Sequence, residues 1–239
     1  MNSNSKFAWA LIHSEKGFWL TIIAVEVVFF VLTRVVLSHY SIYSQEAELI
    51  RTAFRFIAVL IYWVVLREFI VSKKLASTDF LQFRLIFACV IFLSVPLLVG
   101  DLSYMGPGTK AVFAVTSIIV ALKEEITFRA LIQNLMAKRL GNWPAILFTT
   151  ALFTVYHIGV IPLEFFAYGQ VVLASLLLGI IYVRTQNLWL VIWLHAIYDA
   201  LWSLTPIADG PPLPYRFGLL LLVATVLLVF TWGSPRRAQ

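Results

Sequence analysis

A short run of charged residues interrupts one of the apolar segments of the chain. An ionisable residue at membrane depth costs roughly 2.5–3.5 kcal/mol on insertion scales, so such a cluster indicates a functional site. Side chains four residues apart share a helical face, and this spacing predicts that Arg129 pairs with Glu125. Glu124 points about 100° away, so it must find a partner in another helix or act as a desolvated carboxylate. The run contains Lys123, Glu124, Glu125 and Arg129.

Two histidines and an aspartate lie in further apolar segments. Phe153 and His157 are four residues apart and share one helical face, as do His195 and Asp199. A single histidine in an apolar helix is more often a hydrogen-bonded core residue than a site residue. Each unsatisfied polar group at membrane depth costs several kcal/mol, however, so polar residues repeated in three segments favour one common site.

Three kinds of chemistry suit these residue types. In hydrolysis, Glu124 is the general base, one histidine shares the water, and the second histidine with its neighbour stabilises an oxyanion. In zinc hydrolysis, one glutamate and two histidines bind the metal and leave a fourth position open, although the His-Glu-x-x-His motif is absent. In proton-coupled transport, glutamate and histidine form a relay, but the internal repeats of many transporters are missing.

The composition assigns these segments to a membrane protein. A hydrophobic fraction of 61%, a charged fraction of 13% and a mean hydropathy of +0.91 exclude a soluble protein. The net charge of +6 does not indicate nucleic-acid binding, because the basic residues occur singly or in pairs between apolar runs. The single cysteine, Cys89, excludes an intramolecular disulfide and a cysteine-rich metal site.

The apolar runs predict an all-α fold, a polytopic membrane helix bundle of about eight transmembrane helices. A helix needs about 20 apolar residues to cross the hydrocarbon layer. Residues 1–239 form a single integral membrane domain on this interpretation, and six or seven spans is the competing count. The predicted spans lie near residues 17–38, 52–71, 80–100, 110–137, 143–159, 163–184, 187–204 and 215–232.

Charge in the connecting segments predicts the topology. With the N-terminus inside, the inner segments carry most of the lysines and arginines, so both termini are expected in the cytoplasm. The multi-pass protein would lie in the plasma membrane of a prokaryotic source. Within the spans, Arg34, Arg55 and Arg84 are close enough to span ends to snorkel, and Glu26 is expected to be neutral or hydrogen-bonded between helices.

The motifs resemble those of the CPBP intramembrane proteases, which include type II CAAX prenyl endopeptidases and bacteriocin-processing and self-immunity proteins. That family carries Glu-Glu-x-x-x-Arg, Phe-x-x-x-His and His-x-x-x-Asn or Asp, each in its own apolar helix. The resemblance covers roughly residues 110–204, and the first three predicted spans carry no matching motif. The corresponding residues are Glu124, Glu125 and Arg129, then Phe153 and His157, then His195 and Asp199.

The resemblance implies a role for each of these residues. Glu124 and His157 would activate the attacking water, and His195 and Asp199 would form the oxyanion-stabilising pair. A carboxylate cannot donate to an oxyanion unless it is protonated, so Asp199, where the prenyl-processing branch has asparagine, is expected to orient His195. The supporting residues would be Glu125, Arg129, Phe153 and Phe128, and Phe128 stands where that branch often has tyrosine.

The resemblance to a glutamate-activated water mechanism favours catalysis without a metal or other cofactor. Zinc is the alternative, and its ligands would then be Glu124, His157 and His195. The predicted function is an intramembrane endopeptidase acting on a peptide or protein that carries a hydrophobic or lipidated segment. The bilayer is its other partner, and nucleic acid is not expected. The alternatives are a non-catalytic membrane immunity or scaffold protein and, third, a proton-coupled transporter.

The predicted topology can be tested by cysteine labelling in intact cells. With eight spans and both termini inside, cysteines introduced at positions 2 and 238 should both be shielded from membrane-impermeant reagents. Labelling of only one end would indicate an odd number of spans, and one of the two short predicted segments, 143–159 or 187–204, would then not cross the membrane.

Overall fold

The computed structural model describes residues 14–41, 44–70, 72, 79–99, 106–158, 165–204 and 214–230, and these form helices joined by short connections. Positions 2 and 238 and the side chain of Arg84 lie outside the described residues. The all-α fold predicted from the sequence is confirmed. The helices are α1 (Glu15–Leu37), α2 (Gln45–Leu66), a 3₁₀ turn (Arg67–Phe69), α3 (Asp79–Val99), α4 (Pro107–Glu125), a π-helix (Ile126–Gln133), α5 (Asn134–Leu140), α6 (Asn142–Tyr156), α7 (Phe165–Thr185), α8 (Leu188–Leu204) and α9 (Tyr215–Phe230).

Several of these helices have the length and apolar composition of membrane spans. By those two criteria, three helices of the described chain can cross a bilayer, namely Glu15–Leu37, Gln45–Phe69 and Ala167–Thr185. Shorter apolar helices cover Leu85–Val99, Leu188–Ser203 and Arg216–Val229. The predicted fourth span is formed by three consecutive helical pieces: α4, the π-helix and α5.

Local sequence signals set the helix ends. Ser14 and Ser44 cap α1 and α2, because each side-chain oxygen accepts a hydrogen bond from the backbone N–H three residues later. Pro107 occupies the first turn of α4, where a missing N–H costs nothing. Gly141 separates α5 from α6 with φ of 85°, a conformation that glycine adopts without steric cost. The chain therefore reverses at Gly141 and brings α6 back along the π-helix.

Helix α4 lies at the centre of the packing. It pairs most extensively with α8 and also contacts α2, while α9 packs on α3 and α7, and α6 packs on α7. Helix α1 packs on α2 and leaves most of its apolar side chains exposed, as expected for a helix surrounded by lipid. The last turn of α4 and the whole π-helix are buried, so the charged run lies in the interior.

The π-helix Ile126–Gln133 is the feature that a regular helical phase does not predict. All eight of its residues are buried. Its i→i+5 bonding widens the turn, a geometry that occurs frequently at functional sites. At its start, the Thr127 hydroxyl donates to the backbone carbonyl of Lys123 at 2.8 Å, which satisfies an acceptor at the change of helix type.

A close approach of α7 fixes the far end of the π-helix. The Gln133 amide nitrogen donates to the Gly179 carbonyl oxygen at 3.0 Å, and the Thr149 hydroxyl donates to the Gln133 side-chain oxygen at 3.2 Å. A Cβ atom on Gly179 would lie 3.1 Å from Oε1 of Gln133 and 3.3 Å from Cγ2 of Ile146. The absence of a side chain at Gly179 therefore allows α7 to approach the π-helix and α6 this closely.

One prediction about the charges within spans is wrong. Arg55 does not snorkel, because its guanidinium donates to the buried Glu48 carboxylate at 2.9 Å, and Arg51 and Thr116 bond the same carboxylate. Glu48 and Arg55 are seven residues apart and therefore share one face of α2. That spacing would have predicted the pair. Arg34 lies exposed in the last turn of α1, as expected of a residue near a span end.

The close α7 contact leads to a stability prediction. Gly179→Ala should lower the free energy of unfolding by about 1–3 kcal/mol, because the added methyl group overpacks a site where two neighbours must move. The measurement is the thermal midpoint of the detergent-solubilised protein. Gly106→Ala is the matched control, since no atom lies within 4 Å of the added Cβ there, and its loss should be clearly smaller. Equal midpoints for both variants would contradict the tight packing at Gly179.

Candidate active site

The pairing of α4 with α8 brings Glu125 and His195 together. Helix α8 follows a two-residue turn after α7, and the Asn187 side chain caps it by accepting from the Leu190 N–H at 2.8 Å. Two turns further on, Nδ1 of His195 lies 2.8 Å from Oε1 of Glu125. A carboxylate only accepts, so Nδ1 carries the proton and donates.

Arg129 holds the other oxygen of the same carboxylate. Its Nε lies 3.2 Å from Oε2 of Glu125, and both side chains are completely buried. Its Nη2 donates to the backbone oxygen and the hydroxyl of Ser175 on α7, at 3.2 and 3.1 Å. The Glu125–Arg129 pair predicted from the four-residue spacing is thus present. Glu125 also bonds His195, which the sequence did not reveal, and no local pattern marks Ser175.

Two further carboxylates face the second nitrogen of His195. Nε2 lies 3.4 Å from Oδ2 of Asp199, one turn later on α8, and 3.8 Å from Oε2 of Glu124. The Glu124 side chain is only 5% exposed, whereas that of Asp199 is 33% exposed. The site is therefore closed at Glu124 and opens towards Asp199.

The Phe153 ring contacts both histidines. Its ring centroid lies 4.5 Å from that of His157 and 6.0 Å from that of His195. The guanidinium carbon of Arg129 lies 5.3 Å from the Phe153 ring centroid, and Phe128 meets the ring edge-on at 5.0 Å. Such edge-on and cation–π contacts fix the ring orientation.

His157 lies at the C-terminal end of α6. Its Nδ1 is 2.7 Å from the Phe153 carbonyl oxygen, which can only accept, so Nδ1 carries a proton. In the neutral ring, Nε2 is then the acceptor. Among the described residues no ion pair joins His157 to Glu124, whose imidazole partner is His195. His157 is therefore linked to the other site residues by its contacts with Phe153.

Several buried polar atoms at this site lack a hydrogen-bond partner in the described protein. They are Oε2 of Glu124, Nη1 of Arg129 and the two atoms of the Glu125–Arg129 ion pair, Oε2 of Glu125 and Nε of Arg129. A buried polar group without a partner costs about 1–3 kcal/mol. Oε2 of Glu124 is consequently a strong acceptor with no protein donor, and it faces the same space as Nε2 of His195.

The residues of the alternative zinc set do not form a cluster. In the described part of the chain, no group of three or more histidine, cysteine, aspartate or glutamate side chains converges with the geometry of a metal site. Glu124 and His195 approach each other, whereas His157 contacts Phe153 and its Nδ1 is committed to the Phe153 carbonyl. The set Glu124, His157 and His195 therefore does not fit a metal ion in this arrangement.

The comparison with protein families agrees with the motifs. Residues 107–201 match the family described as "Type II CAAX prenyl endopeptidase Rce1-like", a span that starts at the first residue of α4 and includes Glu124, His157, His195 and Asp199. For residues 107–201, this match confirms the family predicted from the motifs. Together with the apolar helices, it identifies an integral membrane protein. Searches of curated proteins and of solved structures found no match.

The Glu125–Arg129 pair leads to a second stability prediction. Glu125→Gln and Arg129→Met should each lower stability by about 3–5 kcal/mol, because the remaining charge is buried without compensation. The measurements are the solubilised yield and the thermal midpoint. Glu46→Gln, at an exposed residue in the first turn of α2, is the matched control and should leave both unchanged. Wild-type yield of both site variants would show that the pair contributes little to folding.

Proposed function

We propose that the protein is an intramembrane endopeptidase that hydrolyses a peptide bond with glutamate-activated water, because residues 107–201 match the type II CAAX prenyl endopeptidase family. The observation that carries this proposal is the position of His195. Its ring is fixed by Glu125 at one nitrogen and faces Glu124 and Asp199 with the other. A carboxylate and an imidazole that meet in a buried, partly open site are the groups that general acid–base hydrolysis needs.

Glu124 is the proposed general base. Its Oε2 is buried and has no protein hydrogen-bond donor, so it can accept a proton from a water molecule beside it. The resulting hydroxide adds to the carbonyl carbon of the scissile bond, and the carbonyl oxygen becomes an oxyanion. When this intermediate collapses, the C–N bond breaks and the proton held by Glu124 passes to the leaving amine. Positioned proton transfer of this kind contributes typically about 10²–10⁴-fold to a rate.

His195 is proposed to stabilise the oxyanion. Glu125 accepts from Nδ1 and holds the ring in one orientation, so Nε2 always faces the interior of the site. In the imidazolium form, Nε2–H donates to the developing negative charge in a setting with little water. In the free site Asp199, on the next turn of α8, accepts from Nε2 and orients the ring. The oxyanion then takes the place of the Asp199 carboxylate at Nε2 during the reaction.

His157 is proposed to share the attacking water with Glu124. Its Nδ1 proton is committed to the Phe153 carbonyl, which leaves Nε2 to accept from water. The Phe153 ring contacts both imidazoles, and each imidazole is proposed to act on a different atom of the reaction centre. No step of this mechanism uses a metal ion.

The proposed substrate is a peptide or protein with a hydrophobic or lipidated segment that brings the scissile bond to a site among apolar helices. The matched family is described as a CAAX prenyl endopeptidase, which makes a prenylated CAAX peptide one candidate substrate. Phe128 and Asp199 stand where the prenyl-processing branch often has tyrosine and asparagine. A farnesylated CAAX peptide and the same peptide without the prenyl group are therefore the first pair of substrates to compare.

The decisive test concerns the two adjacent glutamates. Glu124→Gln preserves volume and removes the base, so the protein should fold with a wild-type thermal midpoint and lose peptide cleavage by at least about 10²–10⁴-fold. Cleavage is measured with both peptides in detergent or proteoliposomes.

Glu125→Gln is the comparison in the same assay, and we expect it to lose yield before it loses specific activity. An active Glu124→Gln beside a stable but inactive Glu125→Gln would show that Glu125 is the base. Full activity of both variants would contradict the glutamate-activated mechanism, and absence of cleavage by the folded wild-type protein would contradict the protease proposal for these peptides.

A further inference from the structure

A buried lysine lies next to the proposed base and has no role in the mechanism above. Lys123 immediately precedes Glu124 in the last turn of α4, and its side chain is completely buried. Its Nζ lies 2.5 Å from Oε2 of Glu26 and donates to the Tyr156 hydroxyl at 2.9 Å. The same ammonium lies over the rings of Phe29 and Tyr156, at 4.6 and 4.5 Å from their centroids. A lysine bound so completely is fixed in a single position.

The carboxylate that compensates Lys123 comes from a distant part of the chain. Glu26 belongs to α1, which lies outside the region that matches the family. Its second oxygen accepts from the Tyr62 hydroxyl of α2 at 2.6 Å. The interhelical hydrogen bonding expected for Glu26 is therefore observed. The Lys123 network, defined as Glu26, Tyr62, Lys123 and Tyr156, joins α1, α2, α4 and α6.

The network ends beside a residue of the proposed site. Tyr156 is the last residue of α6 and precedes His157, and the two rings meet edge-on with centroids 5.7 Å apart. The Tyr156 ring also contacts Phe128, with ring centroids 5.6 Å apart. With its hydroxyl held by Lys123 and its ring between Phe128 and His157, Tyr156 fixes where α6 ends and where the His157 imidazole lies.

We infer that Lys123, compensated by Glu26, is a positioning residue that holds Tyr156 and thereby sets the place of His157 relative to Glu124. This inference rests on the proposed function. A buried ion pair can often be replaced by apolar residues without loss of stability, so a folding role alone does not require one here. Helix α1 then contributes to the activity of a site to which it supplies no reacting group.

The test uses a variant that removes both charges. Lys123→Met alone leaves Glu26 uncompensated and should lower the yield. The double variant Lys123→Met/Glu26→Gln should recover yield and thermal midpoint, because no buried charge is left unpaired. Its kcat should nevertheless fall about 10- to 100-fold with KM nearly unchanged, since a misplacement near 1 Å costs about that much. A double variant with wild-type yield and wild-type kcat would overturn the inference.

Tyr156→Phe tests the same point without altering any charge. It removes only the hydroxyl that Lys123 holds, so the protein should fold and show a similar fall in kcat. Added to the double variant, it should cause no further loss, because the hydroxyl has already lost its donor. If the falls in kcat instead multiply in the combined variant, Tyr156 acts independently of Lys123 and the inference is contradicted. A wild-type kcat for Tyr156→Phe would contradict it as well.

The matched control is a buried ion pair outside the proposed site, in which Glu48 of α2 binds Arg55. Glu48→Gln/Arg55→Met removes a pair of the same kind away from His157 and should leave kcat unchanged. An equal fall in kcat there would show that any lost ion pair disturbs the site, and the positioning role would be rejected. Glu124→Gln in the same assay separates the two proposals, since its full activity would reject the protease mechanism whatever the Lys123 variants do.

Discussion

The carboxylate of Glu125 is the group on which the rest of the interior depends. It is fully buried and lies between the guanidinium of Arg129 and the imidazole of His195. A buried charge persists only where opposite charges and hydrogen bonds compensate the lost hydration. Because Arg129 also bonds Ser175, one compensated carboxylate joins α4, α7 and α8. The helix pairing and the orientation of the proposed oxyanion-stabilising histidine therefore have the same origin.

A second set of charges lies on the opposite side of the same helix. Lys123 and Glu125 are two residues apart, so their side chains diverge by about 200° around the helix axis. Lys123 contacts Glu26 and Tyr156, whereas Glu125 contacts partners on α7 and α8. Glu124 lies between these two networks, and neither holds its Oε2. Three consecutive charged residues thus have three different surroundings: Lys123 is hydrogen-bonded to Glu26 and Tyr156, Glu125 lies between Arg129 and His195, and Glu124 keeps an oxygen with no cation beside it other than the His195 imidazole.

The sequence predicts the elements and the members of the site better than their contacts. Hydrophobic runs and motif spacing are local properties, so they indicate the apolar helices, the Glu125–Arg129 pair and the segments that carry His157, His195 and Asp199. Contacts between helices depend on how the helices pack, and no spacing reveals that Glu125 reaches His195 or that Glu26 reaches Lys123. The π-helix was missed because an apolar run with helical periodicity does not distinguish i→i+4 from i→i+5 bonding over eight residues.

The π-helix makes the chain tolerant of a change in its own length at this point. An i→i+5 turn holds about one residue more than an α-helical turn, so residues 126–133 behave as an insertion absorbed within a continuous helix. Deleting one residue there would leave a helix of ordinary geometry and would keep the later side chains close to their present orientation, because the wider turns had taken up the extra residue. Gln133 and Asn134 could then keep their partners on α7, Gly179 and Tyr182. A deletion in a regular α-helix such as α6 would instead turn every later side chain by about 100°, so this segment should tolerate a change of length that the α-helices around it do not.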